Sequence, residues 1–364
     1  MTAERGATCW RWLVALSGLL LFGCASSVVT EGGSETVLVA EAWQSASYAE
    51  DNVDSPASWL GPQGQHWVLL TAKHSHVLLL FDGDSGQLLR RVGGLGRGAG
   101  DFNRPNGIFV IDNLVLVAER DNHRIQVLRL PELISLGSFG QTELRAPYGL
   151  WVRREGDGYE VFVSDSYMDG EQFDVVPPLA TLDRRFARFG LQLEGNGLSV
   201  ESRGHFGATD AAGAIRITES LWGDPAHDRL LLAEEDASDG TRVKLYDLQG
   251  RYRGQDLGRG LLRSQAEGIA LWACADGSGY WIATDQYKDR SVFHLFDRQS
   301  LAHIGAFAGS TTANTDGVWL HQSGSERFPN GVFYAVHDDQ ALSAFDWRDI
   351  ADRLKLRLSC DGPR

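Results

Sequence analysis

Residues 230–239 read LLLAEEDASD: an apolar run fit for burial ends in three consecutive carboxylates, Glu234, Glu235 and Asp236. Like charges crowded at a strand end repel one another unless solvent, a cation or basic neighbours compensate them. The same figure, an apolar run closing on a polar turn, recurs as WVLLTAKHSH (67–76), LVLVAERDNH (114–123), EVFVSDSYMD (160–169), YWIATDQYKD (280–289) and GVFYAVHDDQ (331–340). Measured at the small residues Ala72, Ala118, Ser164, Ala233, Ala283 and Ala335, the copies lie 46, 46, 69, 50 and 52 residues apart. Repeats of about 40–50 residues, each with several strands, are the mark of a β-propeller. Six copies predict an all-β, six-bladed β-propeller forming a single domain. The long interval is assigned to an insertion around LDRRFARFGLQLEGNGLSVES (182–202).

Each turn is preceded by a second polar punctuation before a strand: VDSPASW, RPNGIFV, APYGLWV, TESLWGD, AEGIALW and TDGVWLH. In a propeller the innermost strand of each blade starts on one face and the second strand returns to it. Asp54, Asn106, Tyr148, Glu219, Glu267 and Asp316 are therefore expected in one ring at the channel mouth. Lys73, Glu119, Arg120, Asp165, Glu234, Glu235 and Asp285 are expected around it. Hard oxygen donors converging from several blades suit Ca²⁺, which takes 6–8 of them. Asp, Glu and Gly also fill the turns of any β-protein, where they satisfy local backbone groups.

Other motifs carry less. GGLGRGAG (93–100) has neither the Lys-Ser/Thr nor the helix of a phosphate cradle. His66, His74 and His76 lack partners at zinc spacing, and GHFGATD lacks the setting of a catalytic triad. Trp151, Trp222, Trp272 and Trp319 follow the inner-strand starts and are read as packing between blades.

The chain opens as an export signal. Arg5 and Arg11 precede the apolar LVALSGLLLF, and LFGC closes on Cys24. Residues 1–23 are expected to be removed, with Cys24 lipidated, 24–35 a tether, 36–355 the propeller and 356–364 a tail. The protein is then exported and held at the outer membrane, on its periplasmic or cell-surface side, through the lipid alone, as a monomer. Loss of Arg5, Arg11 and Glu4 moves the net charge from −14 to −15. So acidic a surface disfavours nucleic acid and suits cations, or an anionic substrate that arrives with metal. Cys274 and Cys360 would remain in an oxidising compartment, either paired or as isolated thiols.

Two family resemblances rest on these motifs. Residues 96–128 resemble an NHL repeat, which implies a propeller blade and no particular reaction. Over almost the whole mature chain, the sequence resembles the bacterial β-propeller phytases. VDSPASW is similar to their Asp-Asp-Pro-Ala-Ile-Trp element, with Ser55 in place of the second Asp. LLLAEEDASD matches their Ala-Glu-Glu-Asp turn, and AEGIALWACADGSGYWIATDQ, NTDGVWL and SAFDWRDIADRL follow in the family's order. The resemblance implies Ca²⁺-dependent hydrolysis of phytate or a related phosphomonoester. By position it makes Asp54, Glu219, Glu234, Glu235, Glu267 and Asp316 metal ligands, with Glu235 also in the catalytic set. It makes Arg120 and Tyr148 catalytic and phosphate-contacting residues, with Lys73 and His74 beside the substrate. The sequence departs from the family at its lysines: His74 stands where one is expected, and blade 3 supplies Asp165 and Ser166 instead. The alternative is a non-catalytic NHL-like propeller that binds a peptide, glycan or protein at the cell surface.

Overall fold

The computed structural model describes residues 29–31 and 34–361. The expected signal segment and Cys24 lie outside them. The alternating runs fold into six antiparallel sheets, whose innermost strands begin at Val53, Pro105, Pro147, Thr218, Gln265 and Val318. Each inner strand packs on the next, and Val318–His321 returns to Val53–Leu60, so the sheets close as six blades around a channel. Blade 6 takes its outermost strand from the other end of the chain: Trp43–Gln44 pairs with Ala341–Asp346 through Ala344↔Trp43 and Ser343↔Gln44.

Two sequence assignments move. Residues 182–202 are not an insertion, since Phe186–Glu194 and Gly197–Phe206 are the ordinary third and fourth strands of blade 3. Their arginines disguise them. Arg188 Nε donates to the buried Glu160 at 3.2 Å, and Arg153 Nε does so at 2.8 Å, so the charges lie on a paired sheet face. The extra chain is the connection between Asp165 and Phe186. Part of the expected tether is also strand: Ser34–Leu38 runs parallel to His303–Ala308 and Val29–Glu31 pairs back on it, making blade 5 six strands deep.

The two cysteines left open by the sequence form a disulfide, Cys274–Cys360, with Cα atoms 5.4 Å apart. It ties the tail that follows helix Trp347–Leu354 to the first hairpin of blade 5. Trp272 stacks on Trp347 at 5.6 Å beneath the same blade. Trp151 packs on Phe162 within blade 3. Trp222 and Trp319 do something else. With Phe109 they form a triangle with ring separations of 5.4, 5.1 and 5.3 Å, and plug the channel from blades 4, 6 and 2. A cavity of about 50 Å³ lies against this plug, lined by the inner strands of all six blades.

At the blade 1–blade 6 seam, Ser58 Oγ lies 2.7 Å from His321 Nδ1, and the His66 ring is 4.5 Å from that of His321. Burial, with a smaller push from His66, lowers the His321 pKa to about 3. Above pH 6.5 this residue is neutral both folded and unfolded and has no effect. As pH falls below that value, the unfolded chain takes up a proton that the fold refuses. Stability is therefore lost at about 1.4 kcal/mol per pH unit on this account. Chemical denaturation from pH 6.5 to 4 is expected to show His321→Asn losing stability less steeply than wild type; equal slopes would mean that water reaches the ring.

Candidate site at the carboxylate-lined end of the channel

Pairing in five blades slips at the start of the inner strand, between Val53 and Pro56, Pro105 and Ile108, Pro147 and Leu150, Thr218 and Leu221, and Ala266 and Ile269. Each slip holds two residues: Asp54-Ser55, Asn106-Gly107, Tyr148-Gly149, Glu219-Ser220 and Glu267-Gly268. Asp316-Gly317 stands just before the blade 6 strand. The second member is small because the next blade abuts it. A Cβ on Gly107 would lie 2.3 Å from the Tyr148 carbonyl oxygen, and one on Gly317 2.5 Å from that of Asp54. The first member turns toward the axis. Burial, and then Glu219, Asp54, Asp316 and Glu267 from four other blades, raise the pKa of the Tyr148 phenol well above the usual range. That set of neighbours brings five of the six expected ring residues to one channel end, and Asn106 holds the matching slip of blade 2.

The ring has two electrostatic halves. On the blade 1–blade 6 side, Lys73 Nζ lies 2.7 Å from Asp54 Oδ2 and 3.2 Å from Asp316 Oδ2. Burial alone would lower the ammonium pKa; the two carboxylates outweigh it and raise it. Gln286 Nε2 donates to the other Asp316 oxygen at 2.5 Å. A resident lysine thus already compensates Asp54 and Asp316, the two ligands assigned there. Lys73, expected beside a substrate, is buried between them.

On the blade 4–blade 5 side the compensation is missing. Burial raises the Glu219 pKa well above the carboxylate range, and Glu267, Glu235, Asp54 and Asp316 all push the same way. Glu267 is raised by burial, then by Glu235, Asp316 and Asp54, against a smaller lowering from a hydrogen bond with Glu219. Glu235 receives a hydrogen bond from Gln265 Nε2. Asn106 is fully buried, and neither its amide nitrogen nor its oxygen has a hydrogen-bond partner. Among the described residues, no three His, Cys, Asp or Glu side chains are drawn into a preformed metal cage. The donor chemistry nonetheless fits a hard cation: carboxylate and amide oxygens, with negative charge in excess.

The remaining turn carboxylates face elsewhere. Glu234 is fully buried and accepts from the Arg216 and Ile217 amides at 2.8 and 3.0 Å. Asp165 accepts from Arg145 and Ala146 at 2.9 and 2.6 Å, and Asp285 from Arg263 and Ser264 at 3.0 and 2.8 Å. Glu119 accepts from the Asn103 amide at 3.1 Å. Each clamps the loop that feeds its own inner strand. Glu234 is therefore placed as a backbone clamp, away from the ligand position assigned to it. The AEED carboxylates divide accordingly: Glu234 clamps, Glu235 joins the acidic half-ring, and Asp236 caps a turn by accepting from the Ser238 amide at 2.9 Å.

Arg120 sits on the short turn Arg120–Asn122 after the second strand of blade 2, with Nε 2.8 Å from Asp121 Oδ1 and 38% of its side chain exposed. His74 is exposed on the matching turn of blade 1. Gln265 and Gln286 escaped sequence reasoning. Each is the neutral neighbour of a conspicuous acid, and only packing reveals which carboxylate it serves.

Residues 102–128, which end in the third strand of blade 2, match the NHL repeat. Among solved structures, the chain is similar to one titled as a nidogen/laminin complex, with 12% identity, coverage of 72% of this chain and 82% of that one, and a TM-score of 0.47. It is also similar to the Myceliophteria thermophila Cps50 (Swd1) β-propeller domain, at 9% identity, 84% and 99% coverage and a TM-score of 0.48. Kuenenia stuttgartiensis hydrazine synthase follows at 10% identity, 81% and 96% coverage and a TM-score of 0.48. The chain is a six-bladed β-propeller carrying an NHL repeat in its second blade.

Proposed function

We propose that the acidic half-ring holds Ca²⁺ and that the protein is a Ca²⁺-dependent phosphomonoester hydrolase of the phytase type, exported and anchored through Cys24. The observation that carries the reading is the acidic set Glu219, Glu235 and Glu267, with the buried, unpartnered Asn106 at the matching position of blade 2, in a channel whose other half has its own lysine. When bound, Ca²⁺ supplies the positive field that phosphate oxygens require at an acidic surface. The three glutamates and the Asn106 oxygen would hold it. Tyr148, kept protonated by burial and by the acids around it, would donate a hydrogen bond to a phosphate oxygen. Arg120 at the mouth offers a planar donor pair suited to phosphate. The aromatic plug leaves this end of the channel as the entrance.

The test is phosphate release from phytate and from a simple aryl phosphate by the purified mature chain, with calcium and then with a chelator. Release only with calcium is expected. Calcium is also expected to raise the melting temperature, since a ligand that binds only the fold stabilises it by about 2.7 kcal/mol at a hundredfold excess over Kd. Calorimetry with unchanged melting in millimolar calcium would remove the cation site.

A second reading, a non-catalytic propeller that binds a partner on this face, is favoured by the blade 3 connection. It starts where the second strand reaches the channel mouth and leaves Phe173 75% and Val175 52% exposed. Its base is fixed: the buried Arg185 guanidinium lies 4.4 Å over the Tyr167 ring and donates to the Asp165 and Ile215 carbonyls at 3.2 and 3.1 Å. Absence of phosphate release at any calcium concentration, with calcium still bound, would favour this reading.

A further inference from the structure

Resting on the calcium reading of the site, we infer that Thr71, Ser164 and Ser220 are positioning residues whose hydroxyls hold the cation-binding groups at a fixed spacing and so set a preference for Ca²⁺ over Mg²⁺. Opposite the two-residue slip of each inner strand stands one residue of the second strand: Thr71, Ala118, Ser164, Ala233 and Thr284 in blades 1 to 5. Thr71 and Ser164 are fully buried, and each bonds in two directions. Thr71 Oγ1 accepts from the Ser55 amide of its own slip at 3.0 Å and donates to the Asn106 carbonyl of blade 2 at 2.6 Å. Ser164 Oγ accepts from the Gly149 amide at 2.8 Å and donates to the Glu219 carbonyl of blade 4 at 3.0 Å. Blade 4 has Ala233 opposite its slip, and Ser220 inside the slip takes over. Its hydroxyl donates to the Glu267 carbonyl of blade 5 at 2.7 Å.

The bridges fall where the proposed ligands are. Their targets, Asn106, Glu219 and Glu267, are the inner-strand members of the proposed cation set. At the boundary leading to Tyr148, which is outside that set, Ala118 has no hydroxyl to offer. At the boundary leading to Asp316, the Thr284 hydroxyl is buried without a hydrogen-bond partner among the described residues. Asp54, compensated by Lys73, receives a main-chain bond instead, from the Gly317 amide at 3.0 Å. A device for closing the propeller would be needed at all six boundaries alike, since each inner strand packs on the next. A carbonyl pinned from the neighbouring blade fixes the backbone of its residue, and with it the reach of the side chain into the channel. Ca²⁺ takes oxygens at about 2.3–2.6 Å, whereas Mg²⁺ demands about 2.0–2.1 Å in near-ideal octahedral geometry, so site size and flexibility decide between them. Groups pinned blade to blade cannot close up on the smaller ion.

The test is titration calorimetry of the purified mature chain with calcium chloride and, separately, magnesium chloride, alongside melting in chelator. Wild type is compared with Thr71→Val, Ser164→Ala, Ser220→Ala and, as a control, Thr284→Val. Wild type is expected to prefer Ca²⁺. Each of the first three variants is expected to lose about tenfold of that preference, the lower end of what removing an outer partner of a metal ligand costs in affinity. Thr284→Val is expected to keep it. A hydroxyl that only supports the fold would lower the melting temperature in chelator and leave the preference unchanged. That result, an equal loss in the Thr284 control, or a wild type that takes both ions equally, overturns the positioning role and leaves the calcium site standing. A wild type that binds neither ion overturns both. Ser220 is half-buried, in contrast to the fully buried Ser164, so Ser220→Ala decides the matter even if Ser164→Ala does not fold.

Discussion

Replacing Asp224 by alanine is expected to lower the unfolding free energy by about 3–5 kcal/mol, the usual effect of breaking a buried ion pair by removing one partner. Asp224 ends the inner strand of blade 4 and is fully buried. Its two oxygens accept from Arg298 Nη2 and Nε at 2.7 and 2.8 Å, a fork that joins blade 4 to blade 5. His227 Nδ1 is a third neighbour at 2.8 Å, and the Ala226 amide a fourth at 3.1 Å. Arg298 is itself only 5% exposed, and its remaining contacts are the Cys274 and Ser278 carbonyls. Alanine would leave a guanidinium without a counter-charge at a seam closed to water. Arg298→Met in the same chain removes the stranded charge and should restore part of the loss, since apolar side chains of similar volume replace buried ion pairs at little net cost. Urea denaturation measures both. A loss below about 1 kcal/mol in the single variant would place the pair within reach of solvent. A double variant no better than the single would show that the fork acts through shape rather than charge.

Much of the propeller was legible because its repeat is imposed by packing. Each blade needs a small residue where its second strand approaches the turn, and a small residue in the inner-strand slip where the next blade abuts, so Ala233 and Gly317 reappear in register in other blades. The ring was legible for the same reason, since the residue before each Gly or Ser has only the channel to face. What stayed hidden was the use made of identical residue types. Glu234 and Glu235 are adjacent and chemically equal, yet one is saturated by three backbone amides, of Arg216, Ile217 and Asp236, and the other is left to the channel. Alternation along a strand sends neighbours to opposite sides, but the sequence does not say which side holds waiting amides. Lys73 was misplaced because its partners, Asp54 and Asp316, meet only when blade 6 closes on blade 1. The closing strand itself, Trp43–Gln44, is too short to have a period. The plug was missed for a related reason: Phe109, Trp222 and Trp319 come from alternate blades, and nothing local distinguishes them from Trp151.

Glu267→Gln is expected to reduce calcium-dependent phosphate release by roughly 10²–10³, the scale on which a single electrostatic group contributes to catalysis, while leaving the calcium-free fold at least as stable as wild type. The two signs come from one environment. Glu267 is 4% exposed, and burial, Glu235, Asp316 and Asp54 disfavour its charge by more than its hydrogen bond with Glu219 favours it. Without a cation, a neutral amide of nearly the same shape relieves that repulsion, so the melting temperature in chelator should hold or rise. With calcium, the same change removes one of the three charges proposed to hold the ion, and with it the field that a phosphate substrate needs on an otherwise acidic face. A purely structural glutamate would behave differently: its loss would lower the melting temperature in chelator and leave the calcium-induced rise unchanged. The experiment therefore reads three quantities on one preparation: melting in chelator, the shift on adding calcium, and turnover at several calcium concentrations. Full turnover at saturating calcium with an undiminished thermal shift would take Glu267 out of the site. Partial recovery of turnover at high calcium is the result expected if the glutamate serves mainly to hold the ion, because excess cation then offsets the weaker grip.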